Sequence, residues 1–358
     1  MIPVWLIVLV LVIGFVAYWF YLKDRGNDDY SISAPKGFEN LPAPGNGNLN
    51  VYFLDIGQGD CSIIVFPDNK TMIIDSGNRY SAQKQKIKEF TDFLNIETFD
   101  YMLLTHADAD HVGSMDYVFE TYEVKHVFRP NVLSTHAKAG ELNEGINVGF
   151  TSADGGTPSS SASYYNFLLG LQNEEGCTSE IFNKDSDFTG TYVTAEGEFE
   201  YVFDFLTPIA EVENIKYKNA NDYSPIVSLT YNGTVIVFTG DAEAAMEKEF
   251  LENYSVYPDA DVLKVGHHGS DTSSGQNFLN AVKPEFAVIQ CGADNSYKHP
   301  KQVTLNKFSS LGTSVYRNDT NGDIALSIGA TKSFKFSSDM IFCVNTDVTE
   351  NLVGGDAN

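Results

Sequence analysis

Cysteine, histidine and basic side chains are all in short supply in these 358 residues. Cys61, Cys177, Cys291 and Cys343 are the four cysteines. They are widely scattered and no two form a CxxC pair, which excludes a thiolate zinc site of ordinary spacing. They read as small buried apolar residues, and so few in a chain this long do not fix a redox compartment. Lys and Arg number 23 against 48 Asp and Glu, for a formal net charge of −25. That balance excludes a broad basic surface for nucleic acid. It leaves a phosphodiester substrate open, because bound divalent cations reverse the local field. No internal repeat of fixed period is visible. With only seven histidines, it matters that five of them (His106, His111, His267, His268 and His299) fall in stretches that look chemical. His126 and His136 do not, and they are read as structural or surface residues.

Residues 2–22 are uncharged and almost wholly apolar, long enough to cross a bilayer as one helix. Tyr18, Trp19 and Tyr21 stand at the distal end, where an aromatic belt is expected. A cleaved signal peptide fits less well, since no Lys or Arg precedes the run and no small-x-small site follows it cleanly. Lys23 and Arg25 bias the body towards the cytoplasm; two charges leave an extracytoplasmic placement open. The expected organisation is a single-pass anchor at 1–23, a Pro-, Gly- and Asn-rich tether at 24–48, a folded body at 49–345 and an acidic tail at 346–358.

Within the body, alternation predicts a strand over 50–56, with Val51, Phe53 and Asp55 on one side. Apolar runs at 61–66 and 71–74, parted by Pro67-Asp68-Asn69-Lys70, predict a hairpin. Ile87, Phe90, Phe93 and Leu94 predict a helix over 82–94. Strands over 101–104 and 124–128 flank a short helix over 112–122. Residues 133–197 are irregular, around a Gly/Ser-rich loop at 155–161 and a short amphipathic helix carrying Tyr164, Phe167, Leu168 and Leu171. Such an insertion either covers a site or is surface loop. Strands return at 200–206, 226–231, 234–238, 262–265, 286–290, 314–316 and 323–328. Asn232-Gly233 makes a hairpin turn between two of them. Helices are expected over 242–253, 277–282 and 303–311.

The stretch Thr105-His106-Ala107-Asp108-Ala109-Asp110-His111-Val112-Gly113 sets two His and two Asp within six positions after an apolar run. A strand would point neighbouring side chains to opposite faces, and a helix would scatter all four. An irregular turn can aim His106, Asp108, Asp110 and His111 at one point or two adjacent ones. Imidazole nitrogen and carboxylate oxygen suit zinc or manganese. Asp55-Ile56-Gly57-Gln58-Gly59-Asp60 and Ile73-Ile74-Asp75-Ser76-Gly77 both end strands. Their glycines permit close backbone approach, and Asp55, Asp60 and Asp75 can orient metal ligands from behind. Thr239-Gly240-Asp241 ends another strand, where Asp241 can bridge two cations, cap the following helix, or both. In Lys264-Val265-Gly266-His267-His268-Gly269-Ser270 one of the paired histidines is a ligand candidate, and His267 is favoured. Asp222 is either a further ligand or the anchor of an Asx turn. Tyr297 and His299 share a loop that can meet a substrate oxyanion.

Together these pieces resemble the metallo-β-lactamase superfamily. More narrowly they resemble the hydrolase domain of the bacterial DNA-uptake channel protein ComEC and its free-standing relatives. The matching motifs are DIGQGD at 55–60, IIDSG at 73–77, LLTHADADHVGS at 103–114, NDYS at 221–224, FTGD at 238–241, LKVGHHGS at 263–270, NSYKHP at 295–300 and VYRNDTNGDI at 315–324. The resemblance covers the hydrolase part, roughly 50–328, and not the channel. It implies an α/β architecture: a four-layer αββα sandwich with its metals at one edge. The wider superfamily's His-x-His-x-Asp-His has Asp108 in place of its second His, and a later His is replaced by Asp222. That oxygen-rich set favours manganese more than the usual zinc site does.

The implied function is a membrane-anchored hydrolase with two divalent ions, zinc or manganese, acting as a phosphodiesterase or nuclease. His106, Asp108 and Asp222 would hold one ion. Asp110, His111 and His267 would hold the other, with Asp241 between them and a hydroxide bridging the pair. Asp110 has the alternative role of orienting that hydroxide. His268, His299, Tyr297 and Lys264 would hold the phosphate. The substrate would be a phosphodiester, with single-stranded DNA, a nucleotide or a lipid head group as candidates; no protein partner is implied. A metal-dependent ester, lactone or thioester hydrolase is the alternative. A non-catalytic binding protein on the same fold is the third reading, weakened by the presence of every ligand position.

Overall fold

Val51 and Phe53 point one way along the first strand and Tyr52 the other, and each side has its own partners. Val51 and Phe53 join residues of a second sheet in one core, among them Phe203, Leu229, Ile236 and Phe238. Tyr52 instead packs edge-on against Phe90 of an outer helix at 5.9 Å. The structure, a computed structural model, describes residues 38, 45, 47–140, 142, 149–195, 197–329, 334–338 and 341–342. All belong to the second of the chain's two units, Pro35–Asn358. The expected anchor at 1–23, most of the tether at 24–48 and the tail at 346–358 lie outside the described residues. Among the described residues no helix is long and apolar enough to cross a membrane.

The first half of the body runs β1 (Leu49–Phe53), β2 (Ser62–Val65), β3 (Thr71–Ile74), the helix Ser81–Leu94, β4 (Thr98–Phe99), β5 (Tyr101–Leu103), the short helices Ala109–Val112 and Met115–Thr121, β6 (Glu123–Val124), β7 (His126–Arg129), the helix Ala162–Asn173 and β8 (Thr178–Ile181). The second half runs β9 (Phe188–Thr194), β10 (Gly197–Phe205), β11 (Val227–Tyr231), β12 (Thr234–Phe238), the helix Ala244–Asn253, β13 (Val262–Lys264), the helix Gln276–Val282, β14 (Phe286–Ile289), the helix Gln302–Leu311, β15 (Ser314–Arg317), β16 (Ile324–Ile328), β17 (Phe334–Ser338) and β18 (Ile341–Phe342).

One mixed sheet has the order β18-β17-β16-β1-β2-β3-β5-β7-β8, the other β15-β14-β13-β12-β11-β10-β9, and β4 pairs with β6. In both large sheets the pairing changes from antiparallel to parallel part-way across: at β3–β5 in the first, and at β12–β13 in the second. Parallel neighbours release their loops at the same end. The outer face of the second sheet carries Val237, Leu263, Ala287 and Ile289 against Met246, Phe250, Phe278, Leu279 and Phe308 of three helices. Each of these Val, Leu, Ile, Met and Phe side chains, fully buried, contributes about 1.5–3 kcal/mol. Two sheets face to face, with helices on both outer faces, make the mixed α/β sandwich.

Asn232 and Gly233, both at positive φ, make the β11–β12 turn, as that dipeptide predicts. The expected helix over 112–122 is interrupted at Gly113–Ser114. A Cβ at Gly113 would lie 2.5 Å from the carbonyl oxygen of Gly77, so close backbone approach decides this position, and a second helix starts at Met115. The irregular stretch at 133–197 contains the expected helix, but also β8 and β9, which periodicity does not reveal.

Candidate metal centre

The loops that follow β3, β5, β12, β13 and β14 meet at one edge of the sandwich. They bring Asp75, His106, Asp108, Asp110 and His111 from the first sheet to Asp241, His267 and His268 from the second. Two glycines allow the approach. At Gly59, φ +133°, a Cβ would lie 2.3 Å from the carbonyl oxygen of Asp110, and at Gly240, φ +47°, one would press on Thr105 and Ser224 at 2.9 Å.

Hydrogen bonds behind the rings fix which nitrogen each histidine presents. His268 Nδ1 lies 2.9 Å from the carbonyl oxygen of Gln290. A carbonyl can only accept, so Nδ1 carries a proton and Nε2 is the nitrogen turned to the centre. His111 Nδ1 donates to Asp75 Oδ2 at 2.8 Å. His106 Nδ1 is 3.1 Å from Thr105 Oγ1. That hydroxyl spends its own proton on Asp75 Oδ2 at 2.7 Å, which leaves its oxygen as an acceptor for an Nδ1 proton. Three rings are thereby held in the tautomer that ligates a metal through Nε2.

The three Nε2 atoms converge on Asp241. His111 and His268 stand 3.3 and 3.4 Å from its Oδ2 and His106 3.9 Å. Asp110 Oδ2 is 3.4 Å from His268 Nε2, and Asp108 Oδ2 is 3.8 Å from His106 Nε2. His106, His111, His268 and Asp241 are buried, yet none of the three Nε2 atoms, nor Asp241 Oδ1, has a hydrogen-bond partner. Buried polar atoms are normally satisfied. Several unpartnered ring nitrogens facing one carboxylate fit a divalent cation in chemistry and direction, so the residues present suit the group.

The protonation balance agrees. Burial opposes charge on His268 and His111, but Asp241 and other carboxylates outweigh it. They push His268 up to about 10 and hold His111 well above the ordinary imidazole value. Burial, aided by neighbouring His111, lowers His106 to about 4. Burial also works against ionising Asp241 and Asp110, and the imidazoles overcome it, holding both below the usual carboxylate range. Asp108 is shifted up by burial and by Asp110. Protons on imidazole here stand in for positive charge that a metal would bring.

Atoms of Asp60, His111, Asp241 and His268 lie within 4.8 Å of one another. Asp60, however, is on the Nδ1 side of both rings, 3.1 Å from His268 Nδ1 and 3.8 Å from that of His111. It also pairs with the Lys264 ammonium. It therefore backs the two imidazoles instead of facing the cation. Asp75 backs His111 in the same way.

Four expectations need correction. Lys264 does not face a phosphate: its ammonium is buried beneath the centre, bound to Asp60 and donating to the Gly240 carbonyl at 3.1 Å. Asp222 is drawn away as a cap: its carboxylate accepts the backbone N–H of Glu243, 3.3 Å away at the start of the helix Ala244–Asn253. Asp55 supports no ligand; it closes its own turn by accepting from Gly57 N–H at 3.2 Å. His268, not His267, takes the buried place beside Asp110 and His111. His267 lies at the rim, with Nδ1 held by Glu243 at 2.9 Å and Nε2 3.8 Å from Asp241.

A cavity of about 120 Å³ opens over the centre, lined by Asp108, Asp110, Asp241, His267 and His268 together with Gln58, Asn221, Tyr297 and His299. His299 is buried, with Nδ1 unpartnered, and burial beside His267 and His268 keeps it neutral, down at about 4. Tyr297 is 60% exposed at the mouth. Sequence reasoning missed Gln58, Ser224, Glu243 and Gln290 as individual residues. Ser224 Oγ accepts the Asp241 N–H at 3.0 Å and touches His106 Nδ1 at 3.2 Å. Its place in NDYS, three residues before a strand, was the available signal. Gln290 acts through its backbone carbonyl, for which no side-chain signal exists.

Comparison with known proteins gives consistent relatives. The family model described as Metallo-beta-lactamase superfamily matches residues 54–293. The chain is 28% identical to ComE operon protein 3 of Bacillus subtilis over 291 residues, which is 76% of this chain and 32% of that protein. It is 26% identical to Competence protein ComA of Neisseria gonorrhoeae over 275 residues, covering 77% of this chain and 32% of that one. An endoribonuclease of Neurospora crassa is 31% identical over 121 residues, 31% of this chain and 13% of that protein. The chain thus spans about a third of the length of the two competence relatives.

Proposed function

The chain belongs to the metallo-β-lactamase superfamily, and we propose that it is a metal-dependent phosphodiesterase acting on a nucleotide or nucleic-acid ester. The observation that carries the reading is the ring of orphaned Nε2 atoms of His106, His111 and His268 around Asp241. The relatives named as competence proteins and as an endoribonuclease favour a phosphodiester over a carboxylic ester.

His106 and Asp108 would hold one ion, Asp110, His111 and His268 the other, and Asp241 would lie between. Bound there, zinc or manganese ions would supply the Lewis acidity that ionises water at neutral pH and steadies charge on phosphoryl oxygens. The protein's own part is preorganisation. Asp75, Gln290 and Thr105 hold the Nδ1 side of the three rings, so that an entering cation displaces any proton from Nε2 and the ring needs no reorientation. Asp60 and Lys264 neutralise each other underneath, so the centre is not overloaded with negative charge. Neutral His299 and the Tyr297 hydroxyl, at the cavity mouth, are placed to donate hydrogen bonds to phosphoryl oxygens.

The test uses the full chain with manganese or zinc, assayed on bis(p-nitrophenyl) phosphate and on a simple lactone. Hydrolysis of the diester, abolished by Asp241→Asn, is expected. Activity on the lactone alone overturns the assignment. The uncharged run at 2–22 extends the proposal to a single-pass tether with the body weakly biased to the cytoplasm. Retention in membranes washed with alkaline carbonate is expected, and release into the wash overturns it.

A further inference from the structure

A second cavity, of about 360 Å³, adjoins the metal centre and shares Asp108 with it. Its walls come from the metal-site loop at 107–109, from Val132 and 157–161 in the insertion between β7 and β8, and from Ala220. The insertion's wall is built firmly. Thr157 donates its N–H to Tyr223 Oη at 3.2 Å and its hydroxyl to the Tyr217 carbonyl at 2.9 Å. Ser159 donates its N–H to the Leu133 carbonyl at 2.9 Å and accepts Thr135 N–H at 2.7 Å. Ser161 caps the helix Ala162–Asn173 by accepting from Tyr164 N–H.

Charge decides what such a cavity can take. Of the ten described residues lining it, Asp108 alone is charged, and the rest are small apolar or hydroxyl-bearing side chains. A phosphodiester at the metal centre has two arms. An arm running into this cavity and carrying a further phosphate would strip that phosphate of water against walls that offer no Lys, Arg or His to pair with it, Asp108 itself being engaged by the ion. A neutral arm with hydroxyls meets no such cost. The volume falls in the range of about 300–1,000 Å³ typical of small-molecule sites, and a single nucleoside fits within it.

Resting on the phosphodiesterase reading, we propose that this cavity, entered past Asp108, binds one neutral, hydroxyl-bearing arm of the diester, of nucleoside size. The preferred substrate is then a short diester with one nucleoside arm, not the interior of a polynucleotide.

Two chromogenic diesters test this on the metal-loaded full chain: the p-nitrophenyl ester of thymidine monophosphate and methyl p-nitrophenyl phosphate. Both lose the same leaving group and differ in the arm alone. The thymidine ester is expected to have a kcat/KM about tenfold higher, chiefly through KM. Free thymidine should inhibit hydrolysis of the methyl ester competitively. Ser160→Trp and Ala220→Phe, which fill the cavity from two separate segments, should each bring the ratio between the esters to about one. The proposal is overturned if the wild-type ratio is already near one, if thymidine does not inhibit, or if both variants keep the ratio while melting like the wild type. The wild-type and thymidine measurements decide the matter even where a variant fails to fold. If neither diester is hydrolysed, the phosphodiesterase reading itself falls and takes this inference with it. If both are hydrolysed without preference, this inference alone falls.

Discussion

Asp75 holds the left-handed conformation, φ +56°, which costs a non-glycine residue energy. Its carboxylate accepts three hydrogen bonds: Thr105 N–H at 2.9 Å on Oδ1, and Thr105 Oγ1 and His111 Nδ1 on Oδ2. Asp75→Asn keeps the shape and tolerates the backbone, because Asn also visits this region. With Oδ1 engaged by the backbone, the new amide would face the two donors now shared by Oδ2. His111 would have to accept at Nδ1, placing its proton on Nε2, towards the cation. The variant should lose about 10–100-fold in metal affinity, measured by titration against a chelating dye. Unchanged affinity would show that Asp75 does not set the tautomer. At this scale the ligand types were legible, because His and Asp at such close spacing have few other uses. The fates of Lys264 and Asp222 were not. Burial of an ammonium against Asp60, and recruitment of a carboxylate by a nearby helix end, depend on what packs there. Nor could the His267-His268 doublet be resolved, since two successive left-handed residues turn the rings into different surroundings.

Elements with clean periodicity, such as the helix Ser81–Leu94 and strands β1, β11 and β12, could be read directly. Strand β9 could not. Gly190 interrupts its β pattern, and glycine ordinarily weakens a strand. A Cβ there would fall 2.1 Å from the Tyr201 ring, so the glycine makes room for a neighbour on the adjacent strand, a reason invisible along the chain. The helix Ala244–Asn253 hides a titrating group in the same manner. Glu247, buried in its first turn, accepts Gly275 N–H at 2.9 Å, and burial raises its pKa from 4.5 to about 7. The folded value exceeds the unfolded one, so protonation favours the folded state. The resulting stabilisation is complete below the unfolded value and is lost as pH rises through about 7. By linkage it amounts to at most about 3 kcal/mol. Glu247→Gln keeps an acceptor for Gly275 and removes the charge. It should melt above the wild type at pH 8 and close to it at pH 5, by calorimetry at both values. Equal melting at both would mean that Glu247 ionises freely in the fold.

Across the whole molecule, the metal centre is also a seam. Asp75, His106, Asp110 and His111 come from loops of one sheet, Asp241 and His268 from the other. Asp60–Lys264 and the Ser62–Gln290 hydrogen bond at 3.1 Å join the same two sheets nearby. Apolar packing holds the sheets together over most of their area, but this edge is polar and rich in carboxylates, in a chain of net charge −25. Without a cation, the edge depends on protonated imidazoles to balance its carboxylates. A cation that ligates both sheets binds the folded state alone, because unfolding separates the ligands. Linkage then raises stability by about 2.7 kcal/mol when free metal is a hundredfold above its dissociation constant. For a body of this size that is about 5–10 °C in melting temperature, at roughly 2–4 °C per kcal/mol. Chelation should therefore lower the melting temperature by that amount, and restored manganese or zinc should recover it. His268→Ala should blunt the response, since it removes the second sheet's imidazole from the seam. If saturating metal leaves the melting temperature of the wild type unmoved, no ion bridges the sheets, and the convergence of these loops on Asp241 needs another explanation.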